Sequence, residues 1–317
     1  MSSKYTIEIL DNNSNLEEWN KFVSISSQGS VFCYSWWLLS ACPNGFRIII
    51  VRNKNGIVAG LPLQNEYDEK GREICNMPLL TQTLGILLYP QNGSKTCKYL
   101  SETIKIMDEI INNLPHYKYF YMQFHYNFTN WLPFYWKGYS QSTRYTYIVP
   151  KTVDIENIFS SFTYAKRCDI RNSKKIVKIK TDISAELFYD HHFSSLKKNG
   201  KNIRYSFENF ENIYNSAYLN KRGKSWYAVD EEGNIHSIIF CVFDNKLAYY
   251  LVSSIDPDYR KTGSISLLIW EAIKYFSKLS LGWNFEGSMR YNIEKSYRQF
   301  GGIQVPYFLI TKPENKI

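Results

Sequence analysis

The stretch SSIDPDYRKTGSISLLIWEAIKYFSKLS, residues 253–280, decides the fold of the second half of the chain. Its first part is rich in Pro, Gly and charged residues, which predicts a loop. Gly282 stands where a left-handed cap is expected to end the helix that follows. That helix is predicted because apolar residues recur at the three-to-four spacing of a single buried face, at Ile265, Leu268, Ile269, Ala272, Ile273, Phe276 and Leu279.

The segments on either side of this stretch predict a sheet. Three runs of β-branched and aromatic residues precede it, separated by polar turns, and they predict an antiparallel meander. A strand, a helix stopped by two glycines and a last strand are predicted after it. The predicted elements are strands at 224–229, 235–243 and 247–253, a strand at 283–286, a helix at 293–300 and a strand at 303–311.

The start of the helix is a candidate anion site. A helix N-terminus offers unpaired N–H groups and a positive dipole end. The loop before it supplies two cations and small or hydroxylated residues, namely Arg260, Lys261, Thr262, Gly263 and Ser264. This composition predicts a cradle for a phosphate or pyrophosphate. The alternative is an ordinary capped helix beside a solvated basic loop.

The order of these elements resembles the core of the GNAT N-acetyltransferases. In that superfamily the loop and helix bind the pyrophosphate of an acyl-CoA through the pattern Arg/Gln-x-x-Gly-x-Gly/Ala. The corresponding segment here is Arg260-Lys-Thr-Gly-Ser-Ile265, with Ile265 at the last position. The resemblance implies acyl-CoA as co-substrate, with Ser253 and Ser254 beside the acyl donor at the end of the third strand.

Two further motifs resemble the Fem-type branch of this superfamily. Asn284-Phe-Glu-Gly-Ser-Met289 is similar to its (Asp/Asn)-Phe-x-Gly-Ser motif, and Tyr297-Arg-Gln-Phe-Gly-Gly-Ile-Gln-Val-Pro-Tyr307 is similar to its Phe-Gly-(Gly/Ala)-x-x-x-Pro-Tyr ending. The branch contains aminoacyl-tRNA-dependent transferases and GNAT-like transferases of polysaccharide gene clusters. The resemblance implies a mixed α/β protein of two tandem GNAT-like domains, each a mixed, mainly antiparallel sheet flanked by helices.

The first half fits a degenerate version of the same plan. The predicted order is strand, helix, short aromatic helix, hairpin, strand, helix, strand. The hairpin turn is Asn53-Lys-Asn-Gly56, and an apolar segment at 77–87 is predicted as a strand. Pro150 marks the boundary, which gives domains at 1–150 and 151–317. The plan allows the last strand to pack back on the first domain.

Composition limits the classes of partner and site. The 317 residues carry a net charge of +9, which favours an anionic partner: a nucleotide, tRNA, an acidic glycan or a membrane surface. The alternative explanation of this positive charge is the base composition of the genome that encodes the protein. The six cysteines are scattered with no C-x-x-C spacing, so no metal site is predicted and reduced thiols of a cytoplasmic protein are expected. No apolar run reaches membrane-spanning length.

A basic cluster occupies residues 166–180, with seven Lys or Arg and one Asp. Its members Arg167, Arg171 and Lys175 are candidates to hold phosphates of a nucleotide-linked acceptor or of tRNA. A solvated basic face is the alternative for each of them. In tRNA-using Fem-type enzymes a long helical arm is often inserted near here. Only about 45 residues separate Lys180 from Trp226, without sustained heptads, so no such arm is expected.

Few side chains are needed for acyl transfer, because proximity supplies much of the barrier reduction. The resemblance implies Tyr297 as general acid, since it precedes Gly301 in the GNAT pattern Tyr-x-x-x-Gly; packing of a helix is the alternative. Glu286 is a candidate base or acceptor ligand, or else a surface carboxylate. Arg298 is a candidate to supply a positive charge. Trp36 and Trp37 are candidates to line the acceptor cleft, with core packing expected for at least one.

These observations favour a cytoplasmic N-acyltransferase. It would move an acyl group from acyl-CoA to an amino group of a sugar or nucleotide-sugar in surface polysaccharide synthesis, a pathway implied by the resemblance alone. An aminoacyl-tRNA-dependent transferase is the alternative enzyme. A nucleotide- or RNA-binding protein without catalysis is the alternative from another class, motivated by Ile265 in the donor loop.

Overall fold

The chain divides into two compact units. A computed structural model describes residues 4–91, 93, 95–151 and 154–313. One unit comprises Met1–Arg144 and Pro306–Ile317, and the other comprises Tyr145–Val305. The chain therefore changes unit inside two strands, and not at Pro150. In the second unit, the end of the first of these strands pairs with a neighbour through Ile148 and Val149.

The first unit contains a four-stranded antiparallel sheet in the order β1-β2-β3-β6. β7 pairs antiparallel with the last strand of the chain through residues 309–312. The elements are β1 (Thr6–Asp11), α1 (Glu17–Ile25), α2 (Ser35–Ala41), β2 (Phe46–Asn53), β3 (Gly56–Gln64), β4 (Glu66–Tyr67), β5 (Glu73–Ile74), β6 (Leu87–Leu88), α3 (Thr96–Asn112), β7 (Phe120–Gln123) and α4 (Leu132–Trp136).

Local sequence explains the main features of this unit. The β2–β3 turn closes because the Asn53 side chain accepts a hydrogen bond from the N–H of Asn55 at 2.8 Å. In α3, Ile106, Met107, Ile110 and Ile111 form one buried stripe. That helix contacts β2 and β3 and so covers one face of the sheet.

The second unit contains the sheet order β8-β13-β12-β11-β10-β9, in which the β12–β13 pair is parallel and the other pairs are antiparallel. Its elements, with the two strands shared between units, are β8 (Ser140–Val149), α5 (Ile155–Ser161), α6 (Tyr164–Ser173), β9 (Lys178–Thr181), α7 (Ala185–Lys198), α8 (Phe207–Leu219), β10 (Gly223–Val229), β11 (Ile235–Phe243), β12 (Leu247–Ile255), α9 (Ser264–Lys278), β13 (Gly282–Asn284), α10 (Tyr291–Arg298) and β14 (Ile303–Lys312).

Helices cover both faces of this sheet. Ile239 and Cys241 belong to the core cluster formed with α9. Phe240, between them, instead contacts Phe188 of α7 and Phe210 of α8. Side chains alternate between faces along a strand, so α9 lies on one face and α7 and α8 lie on the other. The predicted α/β class with mainly antiparallel sheets and flanking helices is confirmed.

Several local predictions were wrong. The loop before α9 contains a 3-10 helix at Pro257–Thr262, and α9 ends before a left-handed Ser280 while Gly282 begins β13. The segment 77–87 was predicted as a strand, but most of it lies outside regular structure because only Leu84 and Leu87 join bridges or strands. β9 was not predicted, since its sequence was treated only as basic.

Candidate active site

The parallel pairing of β12 with β13 stops part of the way along β12, because β13 ends at Asn284. The pairs run from Leu247 and Gly282 to Tyr249 and Asn284. β12 then continues to Ile255 beside β11, with one extra residue, Leu251, that shifts the register. Such a bulge bends a strand and increases its local twist. The second half of β12 thus runs past the end of β13, and this point defines the separation of the two strands.

Aromatic rings and a hydroxyl lie at this separation. The ring of Tyr297, on α10, stacks on Phe285 with centroids 4.9 Å apart and meets the Tyr250 ring edge-on at 6.0 Å. Burial, then the charge of Glu286, raises the pKa of Tyr297 well above its usual range. Burial, then Tyr297, likewise raises the pKa of Tyr250, and a hydrogen bond with Ser253 opposes the shift. Both phenols are therefore neutral proton donors at pH 7.

Glu286 lies just beyond β13 and is held in an unusual conformation. Its backbone φ is 61°, and its N–H donates to the Asn284 Oδ1 at 2.9 Å. Asn284 is fixed in turn by the hydroxyl of Thr146, which donates to the same oxygen at 2.6 Å. The Glu286 carboxyl is 8 % exposed, and its Oε1 has no hydrogen-bond partner among the described residues. A left-handed, non-glycine residue with an unsatisfied buried carboxyl is typical of a functional position.

Burial, followed by the charge of Asp244, raises the pKa of Glu286 well above its usual range. Burial thus favours the protonated form of this carboxyl, in which it can donate a hydrogen bond. A base at this position would need the ionised form, which burial disfavours. The charge that Glu286 carries when it is ionised raises the pKa of Tyr297, so the two groups lie close enough to interact electrostatically.

The predicted donor loop is only partly accessible. Gly263 has a left-handed φ of 73°, and a Cβ atom there would lie 2.9 Å from both the Cβ and the carbonyl oxygen of Asp169. The start of α9 thus packs directly against α6. Ser264 is buried and accepts a hydrogen bond from Ser237 at 2.9 Å. Arg260 points away, donating to Asn199 at 2.7 Å, and the Thr262 hydroxyl donates to the Tyr259 carbonyl at 2.8 Å.

Other residues of the predicted donor site differ in exposure. Lys261 is exposed. Ser254 is buried within β12, and Ser253 is half-buried next to it. A phosphate at this end of α9 would therefore meet Lys261 and Thr262 before it met the buried Ser264.

The basic cluster is distributed over two grooves. Lys175 and Thr262 line one groove of about 590 Å³, so the structure brings together one residue from the basic cluster and one from the donor loop. Arg167 and Arg171 line a second groove of about 600 Å³ with Trp270. Within it, Arg167 donates to the Ser160 carbonyl at 2.8 Å and to the Phe162 carbonyl, so it caps the end of α5.

The remaining predicted residues have structural contacts. The Arg171 guanidinium lies 5.7 Å from the centre of the Phe159 ring. Arg298 is mostly exposed on α10 and forms an ion pair with Glu294 at 3.1 Å. In the first unit, Trp37 is fully buried and its indole N–H donates to Thr81 at 2.8 Å. Trp36 is half-buried and packs edge-on against Trp37 at 5.7 Å.

From the sequence, Lys166 was recognised only as a member of the basic cluster at residues 166–180. It is 8 % exposed, and its Nζ donates to Ser266 of α9 at 3.3 Å and to Ser296 of α10 at 3.2 Å. The amine also lies 5.0 Å from the centre of the Phe300 ring. Burial lowers the pKa of Lys166. A signal was present, since the 4-then-3 spacing of Lys166, Ile170 and Ser173 marks the buried face of α6.

The described residues contain neither a metal-binding cluster nor a membrane-spanning helix. No group of three or more His, Cys, Asp or Glu side chains in the described ranges is arranged to hold a metal ion. No helix of the part of the chain that the structure describes is long and apolar enough to cross a membrane.

The architecture is similar to that of several solved structures. FemX superposes with a TM-score of 0.70 at 12% identity, covering 96% of each chain. A tandem GNAT protein from the clavulanic acid biosynthesis pathway superposes with a TM-score of 0.56 at 9% identity, covering 99% of each chain. A conserved protein of unknown function from Bacteroides thetaiotaomicron gives 0.54 at 11% identity, covering 96% of this chain and 100% of that one.

Comparison by sequence gives no match. No family model matches the chain, and no curated protein matches it. The similarity is therefore one of fold: the chain has a fold like those of FemX and the tandem GNAT protein, which agrees with the two GNAT-like domains that the sequence predicted.

Proposed function

We propose that this protein is an acyltransferase that moves an acyl group to an amino group where β12 and β13 separate. The observation that supports this best is the placement of Tyr297 and Glu286 beside that separation, in one buried electrostatic environment. An opened strand edge offers backbone N–H and C=O groups to an extended ligand. The second half of β12 would hold the donor there, next to a neutral proton donor.

The chemistry uses the protonation states described above. The amine, in its neutral form, attacks the acyl carbonyl; a C–N bond forms and the bond to the leaving atom breaks. Tyr297 donates its proton to that leaving atom, while the amine loses a proton to solvent or to a returning phenolate. The neutral Glu286 carboxyl donates a hydrogen bond to a substrate oxygen. A role for Glu286 as base would first require loss of its own proton.

Acyl-CoA is the donor that we propose, with an amino group of a sugar or nucleotide-sugar in surface polysaccharide synthesis as acceptor. The groove that contains Lys175 and Thr262 supports an anionic donor, because it lies next to the N-terminus of α9. Lys174 and Lys178 line it too, but so do Asp230, Glu231 and Glu232, and the Glu231 carboxylate lies 3.7 Å from the Lys178 amine. The support for an anion therefore comes from the helix N-terminus and not from an excess of positive charge.

An aminoacyl-tRNA donor is the second candidate. The superposition on FemX and the Fem-type motifs at 284–289 and 297–307 favour it. Against it, the position of the long helical arm is occupied here by two short helices, α7 and α8, of 14 and 13 residues. A binding protein without catalysis remains the hypothesis from another class.

Substitution of Tyr297 by Phe tests the proposal. The ring is retained, so its stacking on Phe285 is kept and the melting temperature should change little. Thiol release from acetyl-CoA with a panel of amino sugars is measured beside Tyr291→Phe, which removes an exposed hydroxyl from the start of α10. We expect a fall of about 10²- to 10⁴-fold for Tyr297→Phe and no change for Tyr291→Phe.

Thermal stabilisation identifies the donor. A ligand that binds only the folded state raises the melting temperature. Acetyl-CoA and CoA should stabilise both the parent and Tyr297→Phe. Stabilisation by bulk tRNA alone, lost with added salt, would replace acyl-CoA by an aminoacyl-tRNA donor. Wild-type turnover by Tyr297→Phe would remove Tyr297 from the mechanism, and ligand binding without turnover by the parent would favour the non-catalytic hypothesis.

A further inference from the structure

A groove in the first unit combines aromatic walls with a basic rim. It has a volume of about 560 Å³ and lies beside the segment that leads into β7 and the end of β14. Its volume is in the range of small-molecule binding sites. Pro115 and Pro313 contribute to its walls, and proline restricts the backbone of those segments.

Three aromatic residues form one side of this groove. The rings of Phe120 and Tyr139 are perpendicular, with centroids 5.2 Å apart, and Tyr117 lies 6.1 Å from Phe120. The Lys312 ammonium lies 4.7 Å from the centre of the Tyr139 ring. Phe120 is 2% exposed, so the half-buried Tyr139 ring is the aromatic surface that a planar ring such as a nucleobase would meet.

Cationic residues form the rim. Arg72, Lys118 and Lys312 line the groove together with His116. Desolvation and the positive charge of Arg72 lower the pKa of Lys118, so positive charges are crowded here. Glu73 also lines the groove, but its carboxylate is ion-paired with Arg47 at 2.5 Å. Arg72 is ion-paired with Asp68 at 2.6 Å, so Lys118 and Lys312 are the cations that an anion at the rim would meet first.

The hydroxyl of Tyr117 is a polar group without a protein partner. Its oxygen is buried and has no hydrogen-bond partner in the described ranges. Burial raises the pKa of Tyr117 well above its usual range, so the group remains a neutral donor. A buried polar atom left unpaired costs free energy, and a small shift of the ring on ligand binding would satisfy it.

We propose that this groove binds a nucleoside phosphate, with the base against Tyr139 and the phosphate at Lys118. The Tyr117 hydroxyl donates a hydrogen bond to the nucleoside. All of these residues belong to the first unit, so the proposal does not depend on acyl transfer by the second.

Calorimetric titration of the full chain with UMP, AMP, uridine and inorganic phosphate tests this site. We expect both nucleotides to bind with dissociation constants below about 1 mM, and uridine and phosphate at least tenfold more weakly. Lys118→Ala should weaken UMP binding about tenfold, and Tyr117→Phe about fivefold. Lys105→Ala, which removes an exposed cation from α3, is the matched control and should bind like the parent.

Each other result would overturn the proposal. Failure of both nucleotides to bind the folded parent at about 5 mM excludes the site. Equal affinity for UMP and uridine removes the phosphate rim, and equal affinity for UMP and phosphate removes the aromatic wall. Parent-like binding by both Lys118→Ala and Tyr117→Phe places the nucleotide elsewhere. Melting curves of each variant establish that it is folded.

Discussion

At the level of single residues, burial controls the charge of the candidate active site. Loss of hydration favours the protonated form of Glu286, and burial is the main cause of the raised pKa of Tyr297. Lys166 lies buried between two serine hydroxyls and the Phe300 ring. In water each of these groups would ionise with its ordinary pKa. Their burial therefore costs free energy, which other interactions of the fold must offset.

Glu286→Gln should change the pH dependence of stability. The folded-state pKa of Glu286 is raised above its ordinary value of 4.5. Stability from this group is therefore fully present below that value and is lost as pH rises toward the folded-state pKa. Gln cannot ionise, so the melting temperature of the variant minus that of the parent should increase from about pH 5 to about pH 8. A difference that is constant across this range would show that Glu286 ionises normally.

At the level of elements, the turn after β13 explains the Asn284-Phe-Glu-Gly-Ser-Met289 motif. Gly287 has a φ of 67°, and a Cβ atom there would lie 2.2 Å from the carbonyl oxygen of Tyr145 on β8. Asn284 fixes the same turn from the other end through Thr146. The motif therefore encodes a close approach to β8 that carries the chain out of the sheet and positions Glu286.

Gly287→Ala should destabilise the second unit more than Gly233→Ala does. Gly233 also has a positive φ, 91°, but a Cβ there would meet nothing within 4 Å. Both variants lose about 1 kcal/mol from backbone strain, and Gly287→Ala should lose at least about 2 kcal/mol more through its clash. Urea denaturation measures both. Equal losses would mean that β8 moves aside at little cost.

At the level of the whole molecule, the first unit is built from two segments that are far apart in the sequence. Residues from Pro306 onward leave the second unit and pair with β7, and Leu309 and Ile310 are buried there. This connection makes the folding of the first unit depend on a strand that is far away in the sequence. It also means that the two units are not two successive halves of the sequence.

Ile310→Ala should destabilise the first unit specifically. Ile310 is 0% exposed, and truncation of such a side chain typically costs about 2–5 kcal/mol. Ile303→Ala is the control on the same strand, because Ile303 is 59% exposed and should cost less than about 0.5 kcal/mol. Limited proteolysis with mass spectrometry should give earlier cleavage within 1–144 in the Ile310 variant only. Earlier cleavage confined to 145–305 would contradict this assignment of the last strand.

The sequence by itself determined the elements and the type of fold. The apolar spacing from Leu268 to Phe276 predicted the buried face of α9, and the Asn53–Gly56 turn predicted the β2–β3 hairpin, because these signals lie within a few neighbouring residues. The motifs at 284–289 and 297–307 predicted two GNAT-like domains through their resemblance to the Fem-type branch. Each motif contains a glycine with a positive φ, Gly287 or Gly301, at which a Cβ atom would lie 2.2 Å or 2.3 Å from a neighbouring atom.

Only the tertiary structure decided which groups are buried, paired or charged. The packing of α6 against Gly263, the turn of Arg260 toward Asn199 and the protonation of Glu286 depend on residues far away in the sequence. Tertiary packing also places Trp37 in the core, although a tryptophan at this position could equally have lined a cleft. Local periodicity identifies the face of an element that is apolar, but desolvation and hydrogen bonding depend on what packs against that face.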